Sequence, residues 1–558
     1  MLSLDPFLPE NPMSQTVEEI KIASDYLRGT IAATLADPLQ DGFSEDDKNL
    51  IKFHGFYQQK SRAKDVPEAE KRATFMVRGR IPGGRLTADQ YLAWDDLGDL
   101  YGGQALRLTT RQAVQLHGIV KDDLRPLLKA VHDMNLTTIG ACGDVVRNVT
   151  QSVNPRGLSE YDLLDIPATL LSDHFQFKSS AWAEIWLGEE RISVPGDEQE
   201  PVFGKTYLPR KFKMAITLAG DNGIDIYTND LAFVATLENG LISGYFVFAG
   251  GGMGMTHNKP ETYPRIADLV GWIPADKLLA TAEAAVGVHR DFGDRNNRKH
   301  SRLKYVIQEQ GIEWFRAELE KRQQFEFLNK SLPAWNTPNY LGWQQRTDGT
   351  WSLGVHILCG RIKNSEKGQL KAALRNVVRK YRPTVQLTAD QDLILQGIKS
   401  EDKQGLERIL AESGYAWESG SKIFDRGLAC VSLPTCPLAL AEAERVLDDV
   451  LSAIDSKLEI HGLKHRAPIV RMTGCPNGCS RPYSAEIGIV GQLPGKYAIF
   501  LGGTPAGDKI ARLWVQKISL ERLADTLEPV LFRWKTGGLE NESLGEYVQR
   551  VGVESLNS

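Results

Sequence analysis

Leu106-Arg107-Leu108-Thr109-Thr110-Arg111-Gln112-Ala113-Val114-Gln115-Leu116-His117-Gly118-Ile119 returns 279 residues later as Val385-Gln386-Leu387-Thr388-Ala389-Asp390-Gln391-Asp392-Leu393-Ile394-Leu395-Gln396-Gly397-Ile398. Leu108, Thr109, Gln112, Leu116, Gly118 and Ile119 recur as Leu387, Thr388, Gln391, Leu395, Gly397 and Ile398. Each copy follows a stretch of helical spacing, 87–100 before the first and 367–381 before the second. A period this long is not that of a solenoid. It predicts two duplicated halves about a pseudo-two-fold axis, with a ligand between them. The copies differ in charge: Arg107, Arg111 and His117 of the first become Gln386, Asp390 and Gln396 of the second. Only the first half keeps its cations, so the halves have diverged around an anionic ligand.

Working outward, the stretch 427–481 holds four of the six cysteines in two pairs. Cys430 and Cys436 have five residues between them, and Cys475 and Cys479 have three. Four thiolates are what a [4Fe-4S] cluster requires. Structural zinc fits the shorter gap but not the longer one. Two disulfides would suit an exported protein, whereas the first residues, Met1-Leu2-Ser3-Leu4-Asp5-Pro6, have neither a basic nor an apolar leader segment. Proline and glycine beside each pair suit sharp turns that bring backbone N–H groups to sulfur. Thr435-Cys436-Pro437 reads as a helix start, with Pro437 at the first helical position before the apolar-periodic 438–444. A thiolate placed there would gain from the helix dipole.

A chain of 558 residues should divide into two to four domains. A net charge of −5 argues against a general nucleic-acid binder. No run of eighteen apolar residues suggests a membrane span, and a cytoplasmic protein is expected. Cys142 and Cys359 stand alone, as reduced core thiols do.

In chain order, 1–75 reads as an N-terminal arm in which 11–35 has helical spacing and His54 is expected in the core. Alternation over 75–81 predicts a strand with one cationic face, ended by Pro82-Gly83-Gly84. Thr87 and Gln90 form a capping box. Residues 161–187 read as helical, and 208–216 as a strand whose alternation leaves Lys211 and Lys213 on one face. Those lysines repel each other unless something negative lies between them. Gly250-Gly251-Gly252-Met253-Gly254 would let backbone amides approach a ligand. Residues 276–328 read as mostly helical, 401–415 and 520–534 as further helices, and 499–503 echoes 247–252.

The spacing, order and flanks of the cysteines resemble the cluster-binding signature of the sulfite and nitrite reductase hemoproteins. The likeness runs from about Ser24 to the end of the chain. It implies an α+β fold of three lobes with an internal pseudo-two-fold repeat. The expected divisions are an arm at 1–75, a discontinuous ferredoxin-like repeat domain at 76–138 and 336–405, a siroheme- and substrate-binding lobe at 139–335, and a cluster lobe at 406–558. It implies that Cys430, Cys436, Cys475 and Cys479 hold a [4Fe-4S] cluster and that Cys479 bridges to the iron of siroheme. The family's four substrate-side cations fall on Arg78, Arg147, Lys211 and Lys213. Arg80, Arg107, Arg111, Arg210 and His117 become candidates for siroheme carboxylate contacts, with Asn477 near the cluster.

The activity implied is assimilatory reduction of sulfite to sulfide, with sulfite on the siroheme face opposite Cys479. Gly478 stands where nitrite enzymes usually have serine. No further cysteine group is present for an inserted ferredoxin-like domain, and no flavin or nicotinamide domain is visible. Electrons are therefore expected from a separate protein, either ferredoxin, since Gly250-Gly251-Gly252-Met253-Gly254 and Gly140-Ala141-Cys142-Gly143-Asp144 resemble the ferredoxin-dependent enzymes, or an NADPH-dependent flavoprotein. The alternatives are reduction of nitrite to ammonia and, from another class, a zinc-stabilised binding protein without redox chemistry.

Overall fold

Apolar residues alternate along both copies of the repeat, and each copy forms an antiparallel pair of strands: Leu106–Leu108 with Val114–Ile119, and Thr384–Leu387 with Leu393–Ile398. The computed structural model describes residues 16–60, 72–179, 185–187, 190–192, 200–336, 338–415 and 421–557. The turn inside each copy puts Gln112 and Gln391 at φ +49° and +70° and closes through Thr109 and Thr388 N–H groups onto the carbonyls of Ala113 and Asp392. Each copy becomes the centre of a five-stranded sheet. The first runs Phe56–Lys60, Ala73–Arg78, Val114–Ile119, Leu106–Leu108, Arg361–Ile362. The second runs Gly342–Gln345, Trp351–Val355, Leu393–Ile398, Thr384–Leu387, Arg85–Leu86. Each sheet thus takes its last strand from the other half, Arg361 opposite Arg107 and Arg85 opposite Gln386. One hydrophobic core, including Trp94, Leu116, Leu353 and Leu395, runs through both sheets.

The predicted capping box is present: Thr87 Oγ1 accepts from Gln90 N–H, and Gln90 Oε1 from Thr87 N–H, at the start of helix Ala88–Leu100. That helix is tied to its counterpart, Leu370–Tyr381, by ion pairs from Lys371 to buried Asp95 at 3.0 Å and to Asp99 at 2.6 Å. The N-terminal arm is less separate than expected, because Phe56–Lys60 is the outer strand of the first sheet. His54 is a core histidine whose Nε2 lies 3.1 Å from the Leu27 carbonyl.

The duplication extends beyond the repeats. The middle lobe has a sheet of Thr150–Gln151, Met214–Leu218, Leu231–Glu238, Leu241–Ala249 and Asp268–Pro274, its first three strands parallel and the others antiparallel. The C-terminal lobe repeats that order and sense with Leu428–Ala429, Val470–Thr473, Ile487–Leu493, Lys496–Leu501 and Arg512–Ser519. Matching hydrogen bonds follow. Gly250 N–H donates to Asp230 O at 3.0 Å as Gly502 N–H does to Glu486 O at 3.2 Å, and Ala267 to Tyr227 as Ala511 to Tyr483, both at 2.8 Å. Each outer lobe has its own core. No helix among the described residues is long and apolar enough to cross a membrane.

Two predicted elements are shorter than expected. The helix read over 161–187 is confined to Ser159–Asp162 and Asp165–His174, and Ile185–Leu187 is a strand of a hairpin. Beyond His174, Phe175 and Phe177 turn into the core, and the Glu200 carboxylate accepts the N–H groups of Lys178 and Ser179 at 2.9 Å. The strand read from 208 begins at Met214. Before it the chain bonds to the segment ahead of Asn148 instead, Phe212 N–H to Val145 O at 3.0 Å and Arg147 N–H to Phe212 O at 2.9 Å.

Candidate active site

The two cysteine loops hang from the parallel strands of the C-terminal sheet and meet each other. Gly474 N–H points at Cys430 Sγ at 3.3 Å, Thr473 Oγ1 lies 3.4 Å from the same sulfur, and Asn477 gives its backbone N–H to Cys475. Burial, together with the nearby Cys479 and Cys436 thiols, pushes Cys430 up to about 11, and burial raises Cys475 likewise. The four sulfurs therefore share one neighbourhood. Among the described residues no three His, Cys, Asp or Glu side chains converge as a single metal ion would need, whereas a four-iron cluster takes one thiolate per iron.

The expected helix at Pro437 is absent; the next helix is Leu447–Ile460. The reason lies in the partner loop. Leu440 and Ala441 N–H groups both donate to Gly474 O, at 2.8 and 3.0 Å, and are lost to any helical ladder. The second loop needs its glycine. Gly478 has φ +63°, and a Cβ there would lie 2.6 Å from the Met253 carbonyl oxygen. Met255 N–H donates to Pro476 O at 2.9 Å, so the glycine-rich stretch of the middle lobe packs directly on the cysteine loop.

The four cations expected on the substrate side come from three elements. Arg78, at the end of its strand, reaches Cys142 Sγ at 3.1 Å, and the Gln115 carbonyl oxygen accepts from its Nε at 2.7 Å in the amide orientation that satisfies both groups. Arg147 donates to Gly143 O at 3.1 Å and to the Tyr57 hydroxyl at 3.2 Å. Burial opposes its charge, but Tyr57 and Cys142 outweigh burial and raise it. Lys211 and Lys213 flank Phe212 on one face, and among the described residues neither ammonium has a hydrogen bond or ion pair to the protein. Burial, then Arg147 and Arg302, holds Lys211 well below its ordinary value; burial, then Arg111 and Arg302, brings Lys213 down to about 7. Lys213 also feels the Cys479 thiol. Two buried ammonium groups without acceptors, with Arg147, Arg111 and Arg302 close around them, are the electrostatic mark of an anion site.

The candidates for carboxylate contacts divide. Arg80 is engaged by the protein, donating to Ser172 Oγ and O at 3.1 and 2.7 Å and to the carbonyls of Gly140 and Val146 at 3.2 and 3.0 Å. Arg107 is paired with Glu444 and donates to Ala429 O at 2.8 Å, next to Cys430. A basic residue on a strand reads alike in sequence whether its acceptor is a ligand or the protein. Arg210 faces Asp144 at 3.8 Å.

His117 keeps both ring nitrogens buried with no protein partner, and Arg111, whose Nη1 and Nη2 donate to Asn229 Oδ1 and to the carbonyls of Asn148 and Met214, keeps Nε alone in that state. Burial, with Arg361, Arg107, Arg78 and Arg445 around it, holds His117 well below its ordinary value. Such orphaned atoms are rare in a finished interior and call for an acidic group against them. They fit the carboxylates of a siroheme, which Arg111 and His117 would hold beside Cys479. Thr110 Oγ1, in the same turn, donates to Cys479 O at 3.3 Å.

Several residues escaped the sequence reading. Gln115 shares a strand face with His117 by alternation, and that signal was available. Tyr57 and Asp230 carried no sequence signal, and Arg302 read only as one of the cluster of cations Arg290, Arg295, Arg298, Lys299 and Arg302 within the helical stretch 276–328. Asp390, in the place of Arg111, does not face the site; it accepts from Arg481 at 3.0 Å and ties the second repeat to the cysteine loop.

Residues 167–327 match the nitrite and sulphite reductase 4Fe-4S domain, and residues 68–134 and 343–413 match the nitrite/sulfite reductase ferredoxin-like half domain. The sulfite reductase [NADPH] hemoprotein beta-component of Myxococcus xanthus (strain DK1622) is 42% identical, over 97% of this chain and 97% of its own length. The protein of the same description from Shewanella oneidensis is 41% identical over 96% of each chain. The solved structure of the Mycobacterium tuberculosis NirA protein shares the fold, with a TM-score of 0.79 and 24% identity over 96% of both chains. The chain therefore belongs to the nitrite and sulfite reductase hemoproteins, oxidoreductases that work through a siroheme coupled to a [4Fe-4S] cluster.

Proposed function

We propose that this protein reduces sulfite to sulfide, taking six electrons from a separate donor protein. The observation that supports this most is the pair Lys211 and Lys213, whose ammonium groups have no protein partner among the described residues, with Lys213 near Cys479, Lys211 near Arg147, and Arg147 and Arg78 both at Cys142. Sulfite spreads negative charge over three oxygens and supplies the acceptors these cations lack. The guanidinium groups are fixed in direction, Arg78 by Cys142 and Gln115 and Arg147 by Gly143 and Tyr57, and can orient the anion without rearranging. The ammonium groups are free to turn, and a lysine brought toward neutrality is suited to lend protons as oxygens leave as water. When bound, siroheme and cluster supply the electrons one at a time. Cys430, Cys436, Cys475 and Cys479 would hold the cluster, with Cys479 shared.

The repeat domain is assigned to 76–138 and 336–405, the siroheme- and substrate-binding lobe to 139–335 and the cluster lobe to 406–558. The relatives' description, which names NADPH, favours a donor that draws on NADPH over ferredoxin, and the cytoplasm is the compartment proposed. Steady-state rates with sulfite and nitrite under one artificial donor test the substrate, and nitrite-only turnover refutes the proposal. Rates with NADPH plus flavoprotein against reduced ferredoxin decide the donor.

A further inference from the structure

Asp230 is fully buried, and it joins three parts of the site. Its Oδ2 accepts the backbone N–H of Lys213 at 2.9 Å. Its two oxygens take Arg302 in a fork, at 2.8 and 2.9 Å from Nη2 and 3.1 Å from Nε. Its own carbonyl accepts Gly250 N–H at 3.0 Å, at the head of the glycine-rich stretch that packs on the cysteine loop. Arg302 lies under that stretch, 3.0 Å from where a Cβ of Gly252 would be.

The duplicated lobe supplies an internal comparison. Glu486 occupies the matching place, and its Oε2 accepts the backbone N–H of Ile469 at 2.8 Å as Asp230 accepts that of Lys213. Where Asp230 has Arg302, Glu486 has a neutral partner, Gly545 N–H at 3.0 Å. Ala467 and Ile469 stand where the other half has Lys211 and Lys213. The same carboxylate tie is therefore kept in both lobes, and only the lobe that presents lysines adds a forked guanidinium to it.

We propose that Asp230, locked by Arg302, is a positioning residue that fixes the backbone of Lys213 and so the direction of its ammonium toward the substrate anion. This rests on the role given to Lys213 above. A tie that sets direction acts on binding and turnover of sulfite, whereas a tie that only holds the lobe together acts on stability. A misplacement on the order of 1 Å at such a site costs roughly 100-fold.

The test uses the holoenzyme and three substitutions, Asp230→Asn, Glu486→Gln and Lys213→Met. Asp230→Asn should lower kcat/KM for sulfite by about 10- to 100-fold, with siroheme absorbance and iron content retained. Glu486→Gln should lower the unfolding temperature and leave kcat/KM within about threefold of the parent. If both tie variants lose stability alike and neither changes kcat/KM, Asp230 is merely structural and the proposal falls. If Lys213→Met is also silent, it is the underlying assignment of the anion site that fails. Should Asp230→Asn not accumulate, Arg302→Lys keeps the charge and removes the fork. It should lower kcat/KM in the same direction, and a parental value overturns the proposal.

Discussion

Asp225→Asn removes one charge from the point where the three lobes meet. Asp225, in the middle lobe, receives Arg471 Nη1 at 2.6 Å and Arg481 Nε at 2.9 Å from the C-terminal lobe. Asp390 of the second repeat lies 3.0 Å from Arg481 and 3.8 Å from Arg471. Burial works to raise the Asp225 carboxyl, but Arg471, Arg481 and Arg426 hold it far below the ordinary carboxylate range. Asp225 has φ +50°, a conformation asparagine tolerates, so the substitution isolates the charge. It leaves two buried guanidinium groups facing one carboxylate, and breaking a buried pair in this way costs about 3–5 kcal/mol. The folded carboxyl is depressed, so its contribution is complete above the unfolded value of about 3.9 and is lost as pH falls through the folded value. The cost should therefore be flat between about pH 5 and 8. Urea unfolding of parent and variant across that range measures it, and iron content reports on the cysteine loop that Arg481 follows. A loss below about 1 kcal/mol, the size of an exposed pair, or a steep change with pH in that window would refute the reasoning.

Lys211→Met and Lys213→Met should each remove a charge-assisted contact worth about 1.5–3 kcal/mol, or roughly 10- to 150-fold in kcat/KM for sulfite, with a visible spectrum close to the parent's. Unchanged turnover in both would place the anion elsewhere. Asp144 is buried, which alone would raise it, but Arg298 at 2.7 Å, Arg210 and Lys21 hold it down to about 2. Its stabilisation is present above the unfolded carboxylate value and is lost as pH falls toward the folded one. The stability gap between parent and Asp144→Asn should therefore shrink to about half near pH 3, and a gap at pH 3 as wide as at pH 6 would show that the charge is not what stabilises.

The cysteine pairs, the repeat and the lysine alternation were legible because each is a local pattern whose period or spacing is itself the signal. The repeat halves followed from Leu108, Gln112 and Gly118 recurring in register, and the three-lobed α+β architecture from the family resemblance that the cysteine spacing carries. The helix expected at Pro437 failed because a distant carbonyl, Gly474 O, outcompeted the local ladder, and no local propensity reports that. Arg80 and Arg107 were legible as candidates for carboxylate contacts but not as to their acceptors, which are carbonyls, the Ser172 hydroxyl and the Glu444 carboxylate, all supplied by remote chain. The duplication of the outer lobes was nearly silent, glimpsed only where 499–503 echoes 247–252. Lys211 and Lys213 have become Ala467 and Ile469, and the surviving likeness lies in main-chain hydrogen bonds, which a side-chain alphabet does not record.

The exchange of edge strands has a consequence for biosynthesis. The first sheet holds four of its strands by Ile119, yet the strip that closes its free margin, Arg361–Ile362, emerges from the ribosome only some 240 residues later. At about 5–20 residues per second the margin beside Arg107 waits on the order of ten to fifty seconds. During that interval a nascent chain carries an unprotected rim able to zip onto its neighbours on the same polysome. Arg107 and Arg361, facing each other across the eventual seam, put like charges on the two margins that must join, and Glu444, which pairs with both in the finished fold, arrives later still.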